Sequence, residues 1–381
     1  MNLRSHLLYA LLALMPKRQT AVVYTWPAFE DTALALIPEL EKTSLKSIYY
    51  LAAAEVGGPM PQWGAKVRVL PKRSLRGLVA FLTSRWVFTT HQCYTSVFPK
   101  RVESVNLWHG MPIKRIGWMA VKPGIVPRYK VDLATSAFWH PIIRACMRPW
   151  GNVLLNGLPR YDRFGALDSV EVRERLGLGA ARSAKLVVWL PTYRRAVLGK
   201  PVRDGRNFDN VAQFSGFNSI TFEQWLRQHN FCCVIKPHPL SPIQERKASD
   251  RLLIADNGDL AARGLSLYPL LWAADVLLTD VSSVYVDFLL LDRPVIHAFA
   301  DRAEYESSRG FTFDWSDEFL AGPWVENMEQ LQMELIRLKE GHDAFSARRA
   351  TLKKLFHEAT HESASRSLLG QLGLLESAKS D

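Results

Sequence analysis

The stretch Leu277-Leu278-Thr279-Asp280-Val281-Ser282-Ser283-Val284-Tyr285-Val286-Asp287-Phe288 decides how the rest of the chain is read. The apolar run from Asp275 to Leu278 reads as a buried strand. It stops at Thr279-Asp280, and an apolar, helix-spaced stretch resumes from Val284 to Leu291. Two serines stand at the join. A strand that hands over directly to a helix leaves free backbone N–H groups and the positive end of a helix dipole at the turn. Small hydroxyls beside those N–H groups make a phosphate cradle. The plainer alternative is that Asp280 or Ser282 only caps the helix.

Outward from this stretch, strand-like and helix-like segments alternate. In the first half the strand-like runs are Ala21–Thr25, Ser47–Leu51, Lys66–Leu70, Trp86–Thr89, Val105–Trp108, Val131–Thr135 and Val153–Leu155, with a helix over Asp31–Leu40. Asn156–Arg163 is a turn-rich break, and Val170–Leu176 reads as a short helix. A second series follows at Leu186–Leu190, Phe231–Ile235, Leu252–Ile254, Val276–Leu278 and Val295–Ala298. Leu198–Ser219 reads as a long loop, Glu326–Leu338 as an amphipathic helix, and helices continue to about Leu375. Such alternation argues for parallel sheets with helices on both faces. The expected fold class is α/β: two Rossmann-like domains facing a central cleft, one over residues 19–165 and one over 170–345. Residues 346–381 read as helices, possible partners of the first domain.

Composition narrows the partners. With 381 residues, 48% of them hydrophobic, the chain has material for two to three cores. A formal charge of +11 favours an anionic partner. There is no zinc-finger spacing, RNP-like aromatic signature or long basic run, so nucleic acid is set aside. Cys93, Cys146, Cys232 and Cys233 lack CxxC spacing and read as reduced thiols, with no metal site. Residues 1–18 hold a short apolar run, Leu7–Met15, between Arg4 and Lys17-Arg18. It is too short to span a bilayer. It reads as a helix lying on an anionic membrane surface, with an ordinary packed helix as the alternative.

Chemistry-bearing residues cluster just after the strand-like runs, where ligands bind in sheets of this kind. Trp108-His109-Gly110-Met111-Pro112-Ile113-Lys114 offers a histidine that can take a proton near neutral pH and a nearby cation. Lys236-Pro237-His238-Pro239 holds a lysine and a histidine in a stiff extended segment suited to a pyrophosphate. Pro191-Thr192-Tyr193-Arg194-Arg195 brings guanidinium groups that can grip phosphate with paired hydrogen bonds. Each has a bland alternative: a structural loop histidine, a rigid turn, a solvated arginine. No GxSxG elbow, GxxxxGK[ST] loop or HExxH pair is present. Cations, hydroxyls and a base without a metal motif fit phosphoryl chemistry.

Taken in order, WHGxPxK (108–114), GLPRYD (157–162), PTYR (191–194), KPHP (236–239) and TDxSSxxxD (279–287) resemble the CDP-glycerol glycerophosphotransferase family of teichoic acid synthesis. Asp301, Tyr305, Arg309-Gly310 and Gly322-Pro323 fit the same resemblance. It implies a GT-B fold and a peripheral enzyme on the cytoplasmic face of the membrane. The enzyme would transfer a polyol phosphate, glycerol phosphate first and ribitol phosphate second, from a CDP-polyol to a lipid-diphosphate-linked or polymeric acceptor. CMP would leave, without metal or other cofactor. By the same resemblance His109 is the general base, and His238 and Arg194 hold the donor's pyrophosphate with Lys236. Ser282 and Ser283 bind phosphate, with Asp280, Asp287 and Arg309 in support. Trp108 and Lys114 are assigned to the acceptor side. Tyr161 and His297-Ala298 depart from the family's pattern and leave the donor open. The lack of extra domains gives the chain the look of a minimal member. The rival readings are a GT-B glycosyltransferase using a nucleotide-sugar and a non-catalytic membrane- or polymer-binding protein.

Overall fold

A computed structural model describes residues 3–53, 60–120, 123–181, 183–194, 204–206, 208–241, 245–359 and 361–375. The chain divides into two compact units: residues 1–111, 123–163 and 357–381 form the first, and 112–122 and 164–356 the second.

The first unit holds seven strands: β1 (Arg18–Tyr24), β2 (Ser47–Ala52), β3 (Val67–Pro71), β4 (Ser84–Thr89), β5 (Glu103–Asn106), β6 (Val131–Ala134) and β7 (Asn152–Leu155). They run parallel in the order β3-β2-β1-β4-β5-β6-β7. The second holds β8 (Lys185–Leu190), β9 (Phe231–Ile235), β10 (Lys247–Ala248), β11 (Leu252–Ile254), β12 (Val276–Thr279), β13 (Val295–Ala298) and β14 (Trp324–Val325). Their order is β10-β11-β9-β8-β12-β13-β14, and only β10 is antiparallel to its neighbour.

Both sheets are doubly wound. Strand order reverses between β1 and β4 in one and between β8 and β12 in the other. The crevice beyond the carboxyl ends of those strands is where such sheets take ligands. The central strands are apolar throughout because both faces are covered. Every residue of β9 is buried, Cys232 and Cys233 included, and so is every residue of β12. Around Trp189 of β8 the rings of Phe214, Phe217 and Phe222 stand edge-on, at centroid distances of 5.7, 5.5 and 5.9 Å. Phe214 and Phe217 come from the region read as a long loop, and Phe222 from the helix Ser219–Gln228 that follows it. Residues 204–206 and 208–218 of that region hold no helix or strand, while 198–203 and 207 lie outside the described residues.

Helices α1 (Leu3–Leu14), α2 (Asp31–Glu41) and α3 (Leu75–Thr83) belong to the first unit. Leu8 and Leu12 of α1 are buried in the core with Phe81 of α3. The terminal helices divide between the units. Ser346–Phe356 belongs to the second, where Lys353 donates to the Leu290 carbonyl at 3.0 Å. Ala364–Gln371 belongs to the first, and Asp162 of the GLPRYD stretch caps it. The Asp162 carboxylate accepts from the Ala364 and Ser365 backbone N–H groups (2.6 and 2.9 Å) and from the Ser363 hydroxyl (2.9 Å). Tyr161 stands edge-on to His357 at 5.6 Å. This motif therefore ties the C-terminal helix to its unit.

Candidate functional site

In the second unit the groups gather at the carboxyl ends of β8, β9, β12 and β13. Asp280, one residue past β12, is the hub. One of its carboxylate oxygens accepts from the Thr192 N–H (3.0 Å) and from Arg194 Nη1 (2.7 Å). The other accepts from the Thr192 hydroxyl and the Val281 N–H (2.6 Å). Burial alone would push this carboxyl up. Arg194, the Thr192 bonds and Lys114 outweigh it and hold the pKa below the usual carboxylate range.

Arg194 is itself buried. Its second terminal nitrogen reaches Asp301 at 2.9 Å, so one guanidinium is shared by two carboxylates. Arg194 was expected to hold phosphate itself; here its two terminal nitrogens serve Asp280 and Asp301. The other Asp301 oxygen accepts from the Arg206 N–H at 2.7 Å. Gly205 has φ +78°, and a Cβ there would sit 2.3 Å from that same oxygen, so the close approach requires glycine. His297 supports the hub from β13. Its Nδ1 lies 3.0 Å from the Asp280 carbonyl, and its Nε2 accepts from the Ala321 N–H at 3.2 Å. Burial lowers its pKa to about 4, so the ring is neutral. The departure noted at His297 thus marks a support for Asp280's backbone.

Lys114, which the resemblance assigns to the acceptor side, falls in the second unit. The chain leaves the first unit after Met111, and Lys114 forms a bridge with Phe311 of the second. The flanking bonds are Arg115 N–H to the Gly310 carbonyl (3.1 Å) and Thr312 N–H to the Ile113 carbonyl (2.8 Å). Desolvation lowers the Lys114 pKa to about 8; Asp280 opposes the shift, and Arg309 and Arg194 add to it. Arg309 lies beside Asp204, 3.7 Å apart. Burial raises the Asp204 carboxyl, against the pull of Arg309, Lys114 and Arg194.

His238, just past β9, is half-buried between Pro237 and Pro239. Its Nδ1 accepts from the Leu240 N–H at 3.2 Å, and its ring stacks on Tyr193 at 5.7 Å. The neutral ring therefore carries its proton on Nε2, a donor suited to a phosphate oxygen. Lys236 is buried, its backbone N–H continuing the ladder to the Trp189 carbonyl. Ser282 and Ser283 are half-buried at the start of helix Val284–Phe288. Ser283 caps no N–H, and the Ser282 hydroxyl lies 3.4 Å from the Val284 N–H. Asp287 accepts from the Tyr268 hydroxyl at 2.5 Å, a bond internal to the fold.

The first unit gathers a separate group. Asn106, at the end of β5, donates to Asp132 (2.5 Å) and accepts from the Trp108 N–H (3.2 Å). Trp108 has φ +51° and Gly110 φ +135°, a sharp loop that leaves His109 exposed. His109 Nδ1 lies 3.4 Å from the Thr90 carbonyl, which can only accept. Nδ1 is therefore the protonated nitrogen of the neutral ring, and Nε2 carries the lone pair. His91 stacks flat on His109, and Trp26 meets His91 edge-on. Trp26, Thr90 and His91 sit at this unit's switch point between β1 and β4. Sequence reading missed them, although Thr90-His91 directly follows a strand-like run.

Among the described residues, no three His, Cys, Asp or Glu side chains gather as a metal site would require.

The model of the CDP-glycerol:poly(glycerophosphate) glycerophosphotransferase family matches residues 7–372. A teichoic acid poly(glycerol phosphate) polymerase of Bacillus spizizenii is 21% identical over 359 residues, covering 85% of each chain. A teichoic acid glycerol-phosphate primase of the same organism is 25% identical, covering 86% of this chain and 89% of the primase. The solved wall teichoic acid polymerase TagF superposes with a TM-score of 0.73 at 17% identity, over 97% of this chain and 93% of that one. That likeness establishes the fold, GT-B with two Rossmann-like units. With 366 consecutive positions, 7–372, under one family model, the chain belongs to the CDP-glycerol:poly(glycerophosphate) glycerophosphotransferases.

Proposed function

We propose that the protein transfers glycerol phosphate from CDP-glycerol to a lipid-diphosphate-linked or polymeric acceptor in synthesis of a teichoic acid-like polymer. The family carries the reaction class and sets aside the glycosyltransferase and binding-protein readings. The observation that carries the assignment of the base is the exposed ring of His109 with its Nδ1 facing the Thr90 carbonyl at 3.4 Å, which favours the neutral tautomer whose lone pair is on Nε2.

The second unit is the donor side. His238 Nε2–H, Lys114, Lys236, Arg309 and the Ser282-Ser283 turn supply donors and positive charge for a pyrophosphate. Arg194, Asp280 and Asp301 act beneath them, fixing the loops that carry those groups. His109 is the base. The acceptor hydroxyl gives its proton to Nε2 while its oxygen bonds to the β-phosphorus, which bears the glycerol. The bond from that phosphorus to the bridging oxygen breaks, and the electron pair leaves with CMP. Cations around the pyrophosphate balance the charge that builds on the leaving phosphate.

The acceptor's lipid sets the location. No helix among the described residues is long and apolar enough to cross a membrane. The α1–α3 surface nevertheless exposes Leu7, Leu14, Leu75 and Val79, which are 61, 77, 75 and 42% accessible. Exposed Arg18, Arg73, Arg76, Lys100 and Arg101 belong to these helices or to segments near them, and Arg101 bonds the Ala13 carbonyl at 2.5 Å. Apolar side chains accompanied by cations suit the headgroup region of an anionic bilayer. This surface is our reading of how the enzyme reaches a lipid-linked acceptor.

The test of the base is His109→Ala. It abolishes CMP release and leaves CDP-glycerol binding, read by calorimetry, unchanged, because a base acts in the transition state. Turnover at the wild-type rate would remove His109 from the mechanism.

A further inference from the structure

We propose that Thr90 and His91, at the carboxyl end of β4, are positioning residues for His109: Thr90 fixes its tautomer and His91 fixes its ring plane. The inference rests on the reading of His109 as the base and extends it to residues outside the motif.

The geometry comes from two directions. The Thr90 carbonyl faces His109 Nδ1 at 3.4 Å. The His91 ring is stacked on the His109 ring, with centroids 4.4 Å apart and an interplanar angle of 9°. The Trp108 ring is also close, 3.9 Å away and tilted by 35°. An exposed histidine has two freely rotating side-chain bonds. A flat ring packed on it removes most of that freedom, and a base has to be held within roughly half an ångström of its working place.

The stack is itself anchored. Thr90 is buried, and its N–H donates to the Tyr24 carbonyl at 3.1 Å. Its hydroxyl accepts from the Trp26 N–H at 3.3 Å and lies 3.0 Å from His91 Nδ1. Trp26 closes the edge of His91 at 5.3 Å and 71°. β1 and β4 are neighbouring central strands, so the groups under His109 stand on paired strands in the middle of the sheet.

His91 also suits the electrical demand. Burial, aided by the charge of Lys72, lowers its pKa to about 4, so it stays neutral at working pH. When His109 takes the acceptor's proton it becomes an imidazolium above a neutral aromatic face, which favours the cation. A second imidazolium in that place would oppose it.

The experiment compares His91→Ala, His91→Phe and His109→Ala in steady-state CMP release from CDP-glycerol with a soluble acceptor analogue. His91→Ala lowers kcat by about 10- to 100-fold, as expected for a displaced base, with the KM for CDP-glycerol unchanged. His91→Phe keeps a flat neutral ring and recovers most of the rate. A merely structural role would not give this split between kcat and KM or the rescue by phenylalanine. Should His91→Ala fail to fold, His91→Gln, polar and ringless, replaces it against His91→Phe. Wild-type kcat in the ringless variant, or a phenylalanine variant no better than it, overturns the proposal. If His109→Ala is inactive and the His91 variants are unaffected, the positioning role alone fails. If His109→Ala turns over normally, the base assignment fails and takes this proposal with it.

Discussion

Replacing Asp280 with asparagine changes one atom and tests the whole arrangement at the end of β12. Both carboxylate oxygens are doubly engaged, one by the Thr192 N–H and Arg194, the other by the Thr192 hydroxyl and the Val281 N–H. An amide has one acceptor oxygen. Whichever position its NH2 takes, it faces a backbone N–H, of Thr192 or of Val281. Arg194 meanwhile keeps only Asp301 as a countercharge in a site from which water is excluded. Removing one partner of a buried ion pair costs about 3–5 kcal/mol. With a urea slope of about 3 kcal/mol per M, that is a midpoint lower by roughly 1–1.7 M. The Asp280 loop and the Arg194 segment both lose their anchor, so kcat/KM for CDP-glycerol falls by about 100-fold. The assay pairs urea unfolding followed by tryptophan fluorescence with steady-state CMP release. Thr192→Val, which removes only the hydroxyl, costs about 1 kcal/mol and serves as the internal scale. An Asp280→Asn protein within about 1 kcal/mol of wild type, with an unchanged KM for the donor, would refute the reasoning.

Two further outcomes follow from other parts of the molecule. Lys114 titrates at about 8, and an anionic donor binds the protonated amine, so affinity weakens as pH rises through that value. The KM for CDP-glycerol rises above pH 8 in the wild type and stays flat in Lys114→Arg; a wild-type KM that is level from pH 7 to pH 9.5 contradicts the placement of Lys114 on the donor side. The paired substitution Leu7→Glu and Leu14→Glu touches exposed side chains only, leaves turnover on a soluble acceptor intact and weakens sedimentation with anionic vesicles at least tenfold. Equal vesicle binding by this variant removes α1 from the membrane surface.

Much of the architecture was legible because parallel strands covered on both faces must be apolar without interruption. Phe231–Ile235 and Val276–Leu278 announce themselves this way, and the polar residues right after them fall at the carboxyl ends where ligands bind. The edge strands β10 and β14, two residues each, carry too little pattern to be read. Helix α3 was not read, although Ala80 and Phe81 are buried and Leu75 and Val79 exposed in the manner of an amphipathic helix. Pairings between distant segments were beyond reach: Arg194 and Asp301 are 107 positions apart. The crossing of the chain into the other unit between His109 and Lys114, inside one motif, carries no signal in the sequence either. At Thr90-His91 the signal was present, a polar pair directly after a strand, but no motif drew attention to it.

The most direct measurement of the central claim is the identity of the released nucleotide. The full-length protein is incubated with CDP-glycerol, CDP-ribitol and a set of nucleotide-sugars, each with and without a lipid-linked acceptor analogue, and the products are separated by anion exchange. The account predicts CMP from CDP-glycerol, in step with glycerol phosphate gained by the acceptor and dependent on its presence. CMP from CDP-ribitol alone would change the donor and keep the reaction. A nucleoside diphosphate released from a sugar donor, with CDP-glycerol left intact, would contradict it.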